Sequence, residues 1–186
     1  MGNELVGGAK PELEQVISEA LGDDDIKRFL PNSKIIKYSE LSRYKTIDDL
    51  LTGPKDYAFV LYEDSPNKGH WTAVSRPDAD TIEFFDSYGG KPDSQQKWTP
   101  LQMRLTLGEG RPLLTTLFDA SPYKVQYNPV QYQKDGPNIS DCGRHCVCRV
   151  GCMLEGMSLA DYYKTLKKLK AKSGQDYDEI VSSLVQ

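Results

Sequence analysis

Apolar positions three and four apart open the chain. Leu13, Val16, Ile17, Ala20 and Leu21 share one face, which predicts a helix over Pro11 to Leu21, with Pro11 near its start and Gly22 after its end. Asp23 is placed to cap a second short helix carrying Ile26, Phe29 and Leu30. Thr46 and Asp49 make a capping pattern ahead of Leu50 and Leu51, and Gly53-Pro54 ends that element. After Lys55 the texture changes to short β-branched and aromatic runs: Tyr57 to Tyr62, His70 to Ser75 and Thr81 to Phe85 read as three strands. Pro77-Asp78-Ala79-Asp80 suits a turn between the last two as antiparallel neighbours, which brings His70 and Asp86 to one end of a hairpin.

Residues 90 to 111 are polar, with a modest helical pattern around Trp98 to Leu107. Leu113 to Phe118 and Tyr123 to Tyr132 read as further strands, and Cys142 to Leu154, Ser158 to Ala171 and Tyr177 to Val185 as helices. The order helices, sheet, helices predicts an α+β fold instead of alternating βαβ units. The 186 residues suit a single domain, 1–186, with residues 1–9 as a flexible N-terminal segment.

A formal net charge of −4 provides no electrostatic reason to bind nucleic acid, and no run of about 18 apolar residues marks a membrane span. Nor does a basic region followed by an apolar run mark secretion, so an intracellular setting is expected. All four cysteines, Cys142, Cys146, Cys148 and Cys152, fall in one short segment, which cannot staple distant parts of a chain and fits a reducing compartment.

Only two histidines are present, so a nucleophile needing an imidazole base must use His70 or His145. His145 follows Cys142 by three residues on the same predicted helix and would lie over the adjacent turn. His70 opens a strand after Asn67-Lys68-Gly69, where a side chain can face a helix end across a cleft. Cys142 follows the turn-rich Asp135 to Asp141 and precedes Gly143, which places it in the first turn of a helix. There the helix dipole favours a thiolate, and free backbone N–H groups can bind an oxyanion. Asp86 can accept from the His70 ring and set its tautomer. Each residue also has a plainer reading: Cys142 as a small buried thiol, His70 and Asp86 as residues satisfying local backbone groups. The set Cys142, His145, Cys146, Cys148 and Cys152 crowds one helix and scatters around its faces, so no metal is expected.

Gly69-His70-Trp71, then Phe84-Phe85-Asp86-Ser87-Tyr88-Gly89, then Gly136-Pro137-Asn138 leading to Asp141-Cys142-Gly143, resemble the cysteine proteases that include adenain and the SUMO-specific proteases, especially versions from large DNA viruses and virophages. The resemblance spans roughly residues 57 to 155. It implies a papain-like fold with a central mixed sheet flanked by helices, His70 as base, Asp86 as its orienter, Cys142 as nucleophile at a helix N-terminus, and no cofactor. It implies Trp71 as one wall of a narrow tunnel for small residues before the scissile bond, although a core role for this Trp fits equally. Family members place a Gln six or seven residues before the cysteine to complete the oxyanion hole. Here those positions are Gly136 and Asp135 and the nearest glutamines are Gln133 and Gln131, so either the loop carries extra residues, with Gln133 favoured for the role beside the Cys142 backbone, or the hole is built differently.

The viral branch often cleaves after a hydrophobic residue, any residue, then Gly-Gly. The implied activity is therefore an endopeptidase acting on protein or polyprotein substrates at Gly-Gly or Gly-X sites, maturing capsid or other virion precursors. Leu5-Val6-Gly7-Gly8-Ala9 makes Gly8/Ala9 a candidate self-cleavage site. A peptide activator is a possible partner, and the implied location is the virus-factory cytoplasm of the host and the virion. The alternatives are an isopeptidase acting on ubiquitin or SUMO-type modifiers, and an inactive module that binds Gly-rich tails.

Overall fold

The computed structural model describes residues 9–186. Residues 1–8 of the segment expected to be flexible lie outside the described residues, and with them Gly8 of the candidate cleavage pair; Ala9, also expected in that segment, begins the first helix, α1 (Ala9–Ser18). Next come α2 (Asp23–Phe29), strand β1 (Lys34–Lys37), a 3₁₀ turn at Tyr38–Arg43, α3 (Ile47–Leu50), and strands β2 (Tyr57–Ser65), β3 (Lys68–Ser75) and β4 (Thr81–Phe85). A second 3₁₀ turn at Ser94–Trp98 leads to α4 (Leu101–Leu107), α5 (Leu113–Asp119), β5 (Lys124–Tyr127), α6 (Cys142–Leu154), α7 (Leu159–Ser173) and α8 (Tyr177–Leu184). The expected capping pattern is in place: the Thr46 hydroxyl accepts from the Asp49 N–H at 3.3 Å, and the Asp49 carboxylate accepts from the Thr46 N–H at 2.9 Å.

The fold is α+β. The strands form one mixed sheet in sequence order, with β1/β2 and β4/β5 parallel and the two central pairs antiparallel. Helices cover both faces, which is why β2 reads as an unbroken apolar run. Its Phe59 and Leu61 join Trp71, Ala73 and Phe85 against α6, while Ala58 and Val60 join Val74, Ile82 and Phe84 against Leu114, Leu117 and Phe118 of α5. Ala73 pairs with Phe85, so His70 and Asp86 do come to the same end of the β3–β4 hairpin.

Two expectations are corrected. Leu113 to Phe118 is helix α5: Leu114, Leu117 and Phe118 are buried along one face, a spacing of three and one that a strand would split between two faces. Tyr123 to Tyr132 supplies only the short strand β5, because Pro129 cannot donate to a ladder and the chain turns at Asn128. The strand β1 was missed because Ile35-Ile36 is too short a run to read. Among the described residues, no helix is long and apolar enough to cross a membrane.

Candidate active site

The nucleophile candidate sits where a helix meets the sheet. Cys142 is the first residue of α6, and it is 7% exposed. Asp141 before it makes no side-chain cap, which leaves the first N–H groups of the helix without that partner. Gly143 allows the close approach: a Cβ there would lie 3.1 Å from Leu21 Cβ and 3.2 Å from Trp71 Cδ1. The Trp71 backbone N–H donates to Cys142 Sγ at 3.4 Å.

His70 reaches the same cavity from β3. This open cavity, about 340 Å³, is lined by His70, Tyr88, Gln95, Trp98, Gln133 and Cys142, among others. His70 Nε2 lies 2.9 Å from Asp86 Oδ1, and the ring stacks on Tyr88 with centroids 4.9 Å apart. With Nε2 engaged, Nδ1 is the nitrogen left to exchange a proton with the thiol. Asp86 is fully buried, which would be costly for a carboxylate without partners. It has several: Oδ1 also accepts the Tyr88 N–H at 2.9 Å, and Oδ2 accepts from Gln95 Nε2. Gly90 lets this turn close, since a Cβ there would lie 2.7 Å from Asp86 Oδ2 and press on Ser94 Oγ.

The two ionisable partners shift each other. Burial pulls the His70 pKa down, but attraction to the Cys142 thiolate and the Asp86 contact outweigh it and push it up to about 10. Burial likewise pushes the Cys142 thiol up, and the facing His70 charge with the Trp71 N–H overcomes this and leaves it below its ordinary value. Both shifts act in the direction of a thiolate–imidazolium pair.

Gln133 is nearly buried on the cavity wall. Ser87 Oγ donates to its Oε1 at 2.7 Å, and its backbone N–H and that of Tyr132 both reach the Ser87 carbonyl, at 3.0 and 2.8 Å. Fixing Oε1 leaves Nε2 as the end free to donate into the cavity. Trp71, in contrast, does not line this cavity. It is 5% exposed, with its indole N–H bonded to the Leu21 carbonyl at 2.9 Å, so the expected tunnel wall is corrected to a core position. The tryptophan on the cavity is Trp98, 67% exposed. Gln95, Tyr88 and Trp98 were missed: Gln95 and Trp98 lie in the polar 90 to 111 stretch, which carries no motif, and only the spacing of Tyr88 two residues after Asp86 gave any signal. Of the other α6 cysteines, Cys146 and Cys148 are buried thiols, Cys148 contacts Cys152, and Cys146 Sγ donates to the Trp71 carbonyl at 3.4 Å.

The fold and this cavity define an α+β protein whose helix-start thiol faces an imidazole anchored on a buried carboxylate. The chain is 34% identical over 174 residues, 93% of its length and 98% of the relative's, to the uncharacterized protein V9 of Sputnik virophage, and it belongs to that protein's family. No family model matches it. Among solved structures, the ASFV pS273R protease aligns with a TM-score of 0.45 and 15% identity, over 76% of this chain and 60% of that one. Its selenomethionine form aligns at 0.45 and 14%, over 80% and 66%. The central domain of the uncharacterized Lpg1148 protein from Legionella pneumophila aligns at 0.36 and 18%, over 90% and 86%. The chain thus spans about 60% of the length of the ASFV protease.

Proposed function

We propose that this protein is a papain-like cysteine endopeptidase that cleaves after Gly-Gly or Gly-X sites in virion precursors. The observation that carries the reading is the convergence, in one open cavity, of the Cys142 thiol at a helix start and the His70 ring held by Asp86.

In this reading the Cys142 thiolate attacks the scissile carbonyl carbon, and the oxyanion takes hydrogen bonds from the Cys142 N–H and Gln133 Nε2. The His70 imidazolium gives its proton to the leaving amine as the carbon–nitrogen bond breaks, leaving a thioester. Neutral His70 then takes a proton from water, whose oxygen adds to the thioester; collapse frees the carboxylic acid and the Cys142 thiolate, with the proton kept on His70. The cycle closes with no cofactor. Membership of a virophage protein's family supports the viral setting; the host virus factory and the virion as locations, and virion precursors as substrates, belong to the proposal. Self-processing after Gly8 would expose Ala9, and a peptide activator remains part of the proposal.

A second reading is an isopeptidase for Gly-Gly-tailed modifiers. It is favoured by exposed Trp98 on the cavity and by exposed Leu101 and Leu105 one turn apart on α4, which follows it, apolar groups that a folded modifier could cover.

The test is hydrolysis of a fluorogenic peptide ending in Leu-Val-Gly-Gly by wild type, Cys142→Ala and His70→Ala, with a thiol-reactive Gly-Gly probe alongside. Turnover lost in both variants, with His70-dependent labelling of Cys142, supports the endopeptidase. Labelling without peptide turnover favours the isopeptidase, and binding of the probe without labelling favours an inactive module and refutes both.

A further inference from the structure

The second histidine is fully buried and lies outside the cavity. His145 Nε2 lies 3.0 Å from Asp178 Oδ1 and 3.6 Å from Asp141 Oδ2. Each carboxylate leads elsewhere. Asp178, on α8, also accepts the backbone N–H of Lys134 at 3.2 Å, the residue next to Gln133. Asp141 immediately precedes Cys142 and accepts from the Ser182 hydroxyl of α8 at 3.3 Å. One imidazole thus ties the first turn of α6, the Gln133 loop and α8 together.

Charge demands that imidazole. Asp141 is 0% and Asp178 2% exposed, and burial pushes the Asp178 carboxyl up while the His145 contact opposes that shift. Burial pulls the His145 pKa down, yet the two carboxylates outweigh it and push it up to about 9. The two carboxylates thus favour the charged form of the imidazole. Its neighbours are Asp141 on its own helix, Asp178 of α8, and the Tyr132 ring with centroids 6.4 Å apart. The groups acting on Cys142 are His70 and the Trp71 N–H from β3, Tyr88 after β4, and Asp141, Arg144 and Cys146 around its own helix. Asp135 shares its cavity. Of these, Asp141 disfavours the thiolate.

We propose that His145 is a positioning residue for the Cys142 site: its charge offsets Asp141 beside the thiol, and through Asp178 it holds the loop that carries Gln133. This rests on reading Cys142 as the nucleophile, and it assigns the other histidine a task in the same reaction.

The test is the pH profile of Cys142 alkylation by iodoacetamide, located by mass spectrometry, in wild type, His145→Gln and Asp141→Asn. Circular dichroism checks each fold. The midpoint should move alkaline in His145→Gln, by roughly half a unit or more, and acid in Asp141→Asn, because the two changes remove opposite charges. A merely structural role would not move the two in opposite directions. A shared midpoint, or movement in the same direction, overturns the inference. If His145→Gln does not fold, His145→Asn is read in its place, and an unmoved midpoint there is equally fatal. Alkylation needs no peptide turnover, so the two readings fail separately: a wild-type midpoint at or above an ordinary thiol's sinks the nucleophile reading, whereas a low but unresponsive one sinks only the role of His145.

Discussion

The pair that joins the nucleophile helix to the sheet is Arg149 of α6 and Glu83 of β4, each 1% exposed. Arg149 Nε lies 2.6 Å from Glu83 Oε1 and Nη2 lies 2.9 Å from Oε2, while Nη1 donates to the Met157 carbonyl at 3.0 Å. Replacing Arg149 by Met keeps much of the volume but leaves the Glu83 carboxylate with only Gln126, which donates at 2.9 Å, as a side-chain partner. Removing one member of a buried pair costs about 3–5 kcal/mol, since the other charge stays desolvated. For a chain of this size that is a fall in Tm of roughly 6–20 °C. Urea unfolding followed by circular dichroism should show a lower midpoint at an unchanged slope. Adding Glu83→Gln to Arg149→Met removes the stranded charge and should recover at least about half of the loss. A single variant within about 1 kcal/mol of wild type, or a double variant no better than the single, would refute the assignment of a buried charge pair here. Because β4 runs directly into Asp86 and α6 begins at Cys142, Arg149→Met should also lower turnover in protein that is still folded.

Other changes act on the site itself. Gln133→Ala should lower kcat by about 10²- to 10³-fold with little change in KM, read with the fluorogenic peptide, because it removes a donor to the oxyanion alone. In His70→Gln the alkylation midpoint of Cys142 should rise above the ordinary 9.0, since only the Trp71 N–H then opposes the burial that pushes the thiol up; a midpoint still below that value would falsify the ion-pair account. Gly90→Ala should cost up to about 100-fold in turnover with a much smaller effect on Tm, because the added Cβ meets Asp86 Oδ2 at 2.7 Å and displaces the group that orients His70.

Local pattern was enough to place the central strands, the terminal helices and the helix start at Cys142. Period, turn formers and capping residues are all properties of neighbouring positions, so they can be read from one chain. It also brought His70 and Asp86 to one hairpin end, because a four-residue turn leaves antiparallel strands little other choice. Leu113 to Phe118 was misread because a six-residue apolar run carries too little periodicity to separate a strand from a helix; burial against Ile82 and Phe84 of the sheet settled it. Trp71 was left open between core and cavity, and only the closeness of Gly143 and the Leu21 carbonyl put it in the core. Sequence alone thus determined which chemistry was available: one thiol at a helix start, two imidazoles and a nearby carboxylate. Tertiary structure decided their division of labour. It set His70 against Asp86 and the cavity, and His145 against Asp141 and Asp178 in the interior, because Asp178 arrives from a helix 33 residues further along the chain. Contacts across that separation leave no trace in local spacing, and the partners that distinguish the two histidines are set by those contacts.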